Sequence, residues 1–169
     1  MGLPKIEVTR IGKSSATVLV NLLELYLHDM AEWFKFDINQ DGLYRYDMEP
    51  HWEKGDATYL LLVDDIPAGF ALVARPDEWI KDPNALEIAE FFLVRSHRHK
   101  GIADQFAAWL WDQQPGSWLI RVLEANLPGV PFWRRTISRY TNATHKEERR
   151  IVNDKPWYFF TFDNSDQNK

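Results

Sequence analysis

No cysteine occurs in the 169 residues, so disulfides, thiolate nucleophiles and cysteine-held metals are excluded from the outset. No hydrophobic run approaches the roughly 20 residues needed to span a bilayer, and the opening MGLPKIEVTR lacks the apolar core of a signal peptide. A myristoylation signal fails because Ile6 stands where Ser or Thr is required. The expectation from these absences is a cytoplasmic protein without membrane contact. Basic residues are the minority, 20 Lys and Arg against 25 Asp and Glu, for a formal net charge of -5. Nucleic-acid binding needs broad cationic coverage that displaces phosphate counterions, so no nucleic-acid partner is expected. Neither GxxxxGK[ST] nor GxGxxG is present, which removes the usual nucleotide folds. Asn142-Ala143-Thr144 fits a glycosylation acceptor, but without a secretory signal it carries no weight.

What the chain does hold is core material. At 45% hydrophobic and 14% aromatic, it can fill one domain, expected over residues 1–163, with a frayed polar tail at 164–169. Loose alternation of Ile6, Val8 and Ile11 predicts an edge strand over 5–11. Ser14 and Ser15 precede Val18, Leu22, Leu25 and Tyr26 at helical spacing, which predicts a Ser-capped helix to about His28. Residues 30–47 read as a long aromatic loop before a short helix at 49–54. Two apolar stretches, 57–63 and 68–74, flank Asp64-Asp65-Ile66-Pro67 and predict a hairpin. A strand follows at 86–94, apolar without a break from Phe91 to Val94. From Gly101, Ala103, Phe106, Ala107 and Leu110 repeat at helical spacing until Pro115-Gly116. Then come a strand at 118–126, a helix at 131–140 with proline in its first turn, and a strand at 156–163. The mixed charges of 146–150 read as a solvated strand edge. This order describes an α/β domain with a mixed sheet.

Between the strand at 86–94 and the helix after it lies VRSHRHKGIADQF, where Arg95, Arg98 and Lys100 crowd together with His97 and His99 and no acid intervenes. Unpaired amides of a first helical turn and the positive end of its dipole face such a loop, which makes it an anion site. Gly101 permits close backbone approach, Ala103 keeps the next turn small, and Arg98 with Lys100 supplies charge suited to a diphosphate.

Arg98-His99-Lys100-Gly101-Ile102-Ala103 resembles the Q/R-x-x-G-x-G/A loop of the GNAT acetyltransferase superfamily, and the order of elements is similar to that fold over nearly the whole chain. The resemblance implies a mixed, mostly antiparallel sheet of about six or seven strands flanked by helices, with acetyl-CoA in the splay between central parallel strands at 86–94 and 118–125. It implies that the backbone of Phe92, Leu93 and Val94 pairs with the pantetheine arm. The amides of His99, Lys100, Gly101, Ile102 and Ala103, with Arg98 beside them, would cradle the diphosphate. Asn126 matches a position that contacts the cofactor arm, or else it caps or turns the chain before Pro128. Trp133 stands where relatives carry a tyrosine that protonates the leaving thiolate, and an indole N–H is far too weak an acid. Tyr140, seven residues further, sits about 10 Å away along the helix and is a poor substitute.

Glu90 matches a strand acid that acts as base, often through water, and burial beside Phe91 and Phe92 would raise its pKa. A salt bridge or binding of the acceptor's charge is an equal alternative for Glu90. Glu87, three residues away, should face the other side of the strand. By the same resemblance residues 26–53 line the acceptor pocket, where Tyr26, Trp33, Tyr44, Tyr46 and Trp52 lie among Asp29, Asp37, Asp41 and Asp47. Aromatic faces with carboxylates suit a cationic amine, and Tyr26, Asp29 and Tyr44 are the expected acceptor residues. The alternative is a covering subdomain with its aromatics packed inward. Asp37 to Gly42 begins like a calcium loop, but Met48 takes the twelfth position, so it reads as a turn. The five histidines show no zinc spacing, and no metal is expected. The expected activity is acetyl-CoA-dependent N-acetylation of a primary amine on a small molecule, or less readily a peptide. The other reading is a non-catalytic module that binds CoA or acyl-CoA. Exposed strand edges invite pairing, so a homodimer stays open.

Overall fold

In the computed structural model, which describes residues 4–76 and 78–165, seven strands join one mixed sheet in the order β1-β2-β3-β4-β5-β7-β6. The chain groups into two compact units that divide within β4 (Leu86–Leu93), between Ala89 and Glu90.

The first unit runs to Leu72 and includes Glu90–Ile102. β1 (Ile6–Ile11) pairs antiparallel with β2 (Ala57–Val63), from Ile6↔Val63 to Ile11↔Thr58. A two-residue turn follows, with Asp64 and Asp65 both left-handed at φ 52° and 65°. This geometry matches the right-handed twist of the flanking strands, and Asp64 Oδ1 accepts the Lys5 amide at 2.9 Å to secure it. Ile66 and Pro67 therefore open β3 (Ile66–Ala74) and are not part of the turn.

α1 (Ala16–Phe34) buries Leu19, Leu22, Leu23, Tyr26 and Leu27, one stripe at a 3.6 period. It runs six residues beyond the expected end at His28, since no Gly or Pro breaks it until Lys35 takes the left-handed conformation at φ 54°. Ser15 stands at its start as expected, but its side chain makes no capping hydrogen bond. α2 (Glu49–Lys54) matches its predicted span and stops at Gly55, φ 76°.

The second unit comprises Val73–Ala89 and everything from Ala103 on. α3 (Ile102–Asp112) buries the predicted Phe106, Ala107 and Leu110, and Trp111 joins them at 0% exposure. β5 (Ser117–Leu123) pairs parallel with β4 at Leu86↔Trp118 and Glu87↔Leu119. Its other side pairs antiparallel with β7 (Lys155–Asp163) along its whole length. β6 (Lys146–Val152) closes a hairpin onto β7 through left-handed Asn153-Asp154, so the mixed-charge stretch is a full edge strand with its charges in solvent.

α4 (Gly129–Tyr140) starts two residues ahead of the expected position. The expected frayed tail needs correction at its first residue, because Asn164 is fully buried. Its Nδ2 donates to the Trp111 carbonyl at 2.8 Å, and its Oδ1 accepts the Gly116 amide at 2.8 Å. Residues 166–169 of that tail lie outside the described residues. Glu87 is 4% exposed and takes a 2.5 Å hydrogen bond from Arg121 Nε, whose guanidinium lies over Trp79. Burial pushes the Glu87 carboxyl up against the downward pull of Arg121. Among the described residues, no helix is long and apolar enough to cross a membrane.

Candidate active site

β4 leaves the sheet at Val94, whose amide donates to the Ala68 carbonyl at 2.8 Å. A single 3-10 turn, Arg95–His97, brings the chain round to Arg98. His99 and Gly101 then both take positive φ, 61° and 75°. For a histidine that conformation is uncommon. Left-handed residues just ahead of a helix turn successive amides toward one concavity, and here α3 opens at Ile102 behind them. A Cβ built on Gly101 would meet nothing within 4 Å, so the cradle above it is open. Amide donors, a helix start and exposed Lys100 together fit a diphosphate.

Arg98 is held on three sides. Its Nε donates to the Leu93 carbonyl at 2.8 Å, one terminal nitrogen donates to Asp29 at 2.6 Å, and the guanidinium lies 5.6 Å from the Phe92 ring centre. Arg95 takes the other Asp29 oxygen at 2.6 Å. The predicted acceptor acid is therefore tied to the loop that joins β4 to α3. Burial acts to raise the Asp29 pKa, but the hydrogen bonds from Arg98 and Arg95 outweigh it and the net shift is downward. A depressed carboxyl adds stability above its unfolded pKa and loses it as pH falls through the lower folded value. The melting-temperature gap between wild type and Asp29→Asn is thus expected to be constant at neutral pH and to shrink below about pH 3.9. Thermal melts across pH 2–7 read it directly.

Glu90 lies one turn of pleat before this loop and accepts hydrogen bonds from two phenols. Tyr26 of α1 donates to one oxygen, and Tyr46 donates to the other at 2.9 Å. Tyr26 is 8% exposed and packs edge-on to Phe70 and Phe92. Burial and the Glu90 charge push both phenols well above the ordinary tyrosine range. Glu87 and Glu90 have separate partners, as strand alternation predicts.

Behind Tyr46 stand two residues that sequence reasoning missed. The Tyr46 hydroxyl is 3.2 Å from His51 Nε2, and His51 Nδ1 is 2.8 Å from Asp56 Oδ2. The signal available was His51-x-x-x-Gly55-Asp56: left-handed Gly55 ends α2 and the Asp56 amide returns to the His51 carbonyl at 3.0 Å.

Tyr44 is placed by its backbone, whose amide donates to Glu24 at 2.7 Å, and its hydroxyl lies 3.3 Å from His28 Nδ1. Asn39 Oδ1 accepts the Asp41 and Leu43 amides, the side-chain turn expected in place of a calcium loop. A cleft of about 260 Å³ is lined by Leu25, His28, Asp29, Phe92, Val94 and Arg95.

The remaining candidates, Ala103, Asn126 and Trp133, belong to the second unit. Asn126 Oδ1 accepts the Gly129 amide at 2.9 Å and its carbonyl takes Val130, so it turns the chain into α4, whose N-cap is Pro128. Trp133 is 8% exposed and packs against Trp111 and Phe132. Tyr140 donates to Asp112 at 2.7 Å, and burial with that carboxylate pushes it up to about 12.

Residues 22–137 match the Acetyltransferase (GNAT) family. No match was found among curated protein sequences. Solved structures supply similar folds at low identity. One is the aminoglycoside acetyltransferase AAC(6')-Ib in complex with coenzyme A and kanamycin, with TM-score 0.65 and 16% identity over 94% of this chain and 95% of that one. Another is the ribosomal-protein-S18-alanine N-acetyltransferase from Escherichia coli, with TM-score 0.60 and 9% identity over 94% of each chain. The Arabidopsis thaliana NAA60 in complex with a bisubstrate analogue has TM-score 0.60 and 15% identity over 94% of this chain and 98% of that one.

Proposed function

This chain belongs to the acetyltransferase (GNAT) family, and from that premise we propose that it moves the acetyl group of acetyl-CoA onto a primary amine of a small molecule. The observation that carries the reading is Glu90, held by two phenols on the strand that feeds the open cradle at Gly101. Bound at that cradle, acetyl-CoA supplies an activated thioester. The amides of His99 to Ala103, with Arg98 and Lys100, would hold the diphosphate. Backbone groups of Phe92 to Val94 would receive the pantetheine arm. The Val94 amide is used by Ala68 and its carbonyl already accepts the His97 amide at 3.0 Å, so only the second lone pair of that carbonyl would be open to the arm. Asn126 keeps Nδ2 outside the contact by which its Oδ1 accepts the Gly129 amide.

Glu90 takes the proton from the attacking amine, and Tyr26 and Tyr46 fix its orientation. Tyr26 and Tyr44 give the acceptor aromatic faces, and Asp29, whose charge is met by Arg95 and Arg98, fixes the wall beside them. Trp133 donates no proton to the departing sulfur. A thiol of pKa about 8.5 leaves tolerably as thiolate near neutrality, so turnover survives without that acid.

A second reading, a binding module that holds CoA without turnover, is favoured by one observation: Trp133 and Tyr140 offer no general acid. Thiol release from acetyl-CoA with polyamines, aminoglycosides, amino acids and an N-terminal peptide separates the two. Release stimulated by an amine is expected. Binding of CoA without release on any amine would establish the module.

A further inference from the structure

From the hydrogen-bond geometry behind the base, we infer that Tyr46, His51 and Asp56 carry the proton from Glu90 out to solvent. The inference rests on Glu90 as the base in the reading above. Three contacts run in series: Glu90 to Tyr46 at 2.9 Å, Tyr46 to His51 Nε2 at 3.2 Å, and His51 Nδ1 to Asp56 at 2.8 Å. They join β4, the segment ahead of α2, α2 itself and Asp56, two residues past its end.

A phenol has one proton and here faces two acceptors. With Glu90 ionised, Tyr46 donates to Glu90. Asp56 holds the proton of neutral His51 on Nδ1, which leaves the Nε2 lone pair toward Tyr46. When Glu90 accepts a proton from the amine, the polarity reverses. The Glu90 hydroxyl donates to the Tyr46 oxygen, and the Tyr46 hydroxyl turns to Nε2. Shifting both protons one step leaves Glu90 ionised, Tyr46 neutral, and His51 an imidazolium paired with Asp56. His51 then passes its Nδ1 proton to water by way of Asp56, which leaves the ring protonated on Nε2, and exchange of that proton through water back to Nδ1 restores the first state, one proton having left for each one taken up.

The Tyr26 side of Glu90 is closed by Phe70 and Phe92, whereas the His51 side chain retains 23% exposure and Asp56 beyond it 9%, so water is met at the His51–Asp56 pair. No tyrosinate is needed, and burial with the Glu90 charge, which raise the Tyr46 pKa, disfavour one. The titratable groups facing the line are Tyr26 from α1, on the second Glu90 oxygen, Tyr46, and His51 and Asp56. The neighbouring α2 acid, Glu49, is instead paired with Lys13 in solvent. Tyr46 and His51 touch no reacting atom, so they act through Glu90.

The test has two arms on the full chain. Long-range 1H–15N NMR of the histidine rings reads the His51 tautomer without any substrate. Neutral His51 is expected to carry its proton on Nδ1. In thiol-release assays, His51→Ala is expected to lower kcat about tenfold or more with the acetyl-CoA KM unchanged. Imidazole in the buffer should restore most of that rate, and it should not restore the Tyr46→Phe variant. An Nε2-protonated His51, or a His51→Ala loss that imidazole leaves in place, would each overturn the relay. The wild-type tautomer needs no substitution, so a variant that fails to fold leaves the test standing. Absence of amine-dependent release in wild type would sink the transfer reading alone, while the ring tautomer still decides the relay.

Discussion

Glu90→Gln is expected to lower kcat for amine acetylation by about 100- to 10,000-fold and to leave acetyl-CoA affinity as it was. Glutamine keeps the shape of the side chain and a carbonyl oxygen for one of the two phenols that hold it. What it loses is the ability to take a proton. The variant therefore separates proton transfer from positioning. Were Glu90 there only to attract the acceptor's charge, the loss would fall on the amine KM, and kcat at saturating amine would survive. With Glu90 as base, kcat falls and the acidic limb of the wild-type rate profile disappears with it. Initial rates against amine concentration, at several pH values, distinguish the two outcomes.

Gly101→Val is expected to weaken acetyl-CoA binding by about 100-fold, equivalent to about 2.7 kcal/mol. Two effects combine. At φ 75° a β-branched residue is strained by about 1–2 kcal/mol, and relief of that strain rotates the amides that must face the diphosphate. The new isopropyl group also enters the open space above the loop, which nothing within 4 Å now fills. The fold should tolerate the change, since no protein atom is struck. The expected signature is a raised acetyl-CoA KM and dissociation constant, nearly wild-type kcat at saturation, and only a few degrees lost in Tm. Calorimetry and thermal melts on the same preparation check both halves.

The loop could be read from the sequence because its chemistry is local. A glycine, a cluster of bases and a strand–helix junction are adjacent in the chain, and backbone geometry follows from them. Glu87 and Glu90 were separable for a similar reason, since strand alternation alone sends them to different partners. The unread features were those made by contacts across the chain. His51 reaches Glu90 only because Tyr46 spans the gap, and nothing in the spacing of residues 46 and 90 announces it. Asp29 appeared as an acceptor acid on its helix face, yet Arg95 and Arg98 arrive from 66 and 69 residues away to engage it. Asn164 looked like tail composition until its amide was found satisfying Trp111 and Gly116. α1 overran its expected end because an aromatic, acid-rich stretch lacking Gly and Pro has no reason to stop before Lys35.

The same physics gives the two halves of the site different tolerances. The cradle depends on main-chain direction, so side-chain changes at His99 or Lys100 should matter less than a change at Gly101. The Glu90 network depends on side-chain hydrogens, so loss of a single hydroxyl at Tyr46 is felt directly.

Backbone amide mapping of uniformly 15N-labelled protein during titration with acetyl-CoA asks most directly whether the helix start holds the linked phosphates. The amides of His99 to Ala103 should move to lower field and saturate together with the ligand, and coenzyme A lacking the acetyl group should reproduce the effect. If those five resonances stay fixed while acetyl-CoA binds elsewhere, or if no resonance moves at all, the cradle is not the cofactor site and the account built on it is wrong.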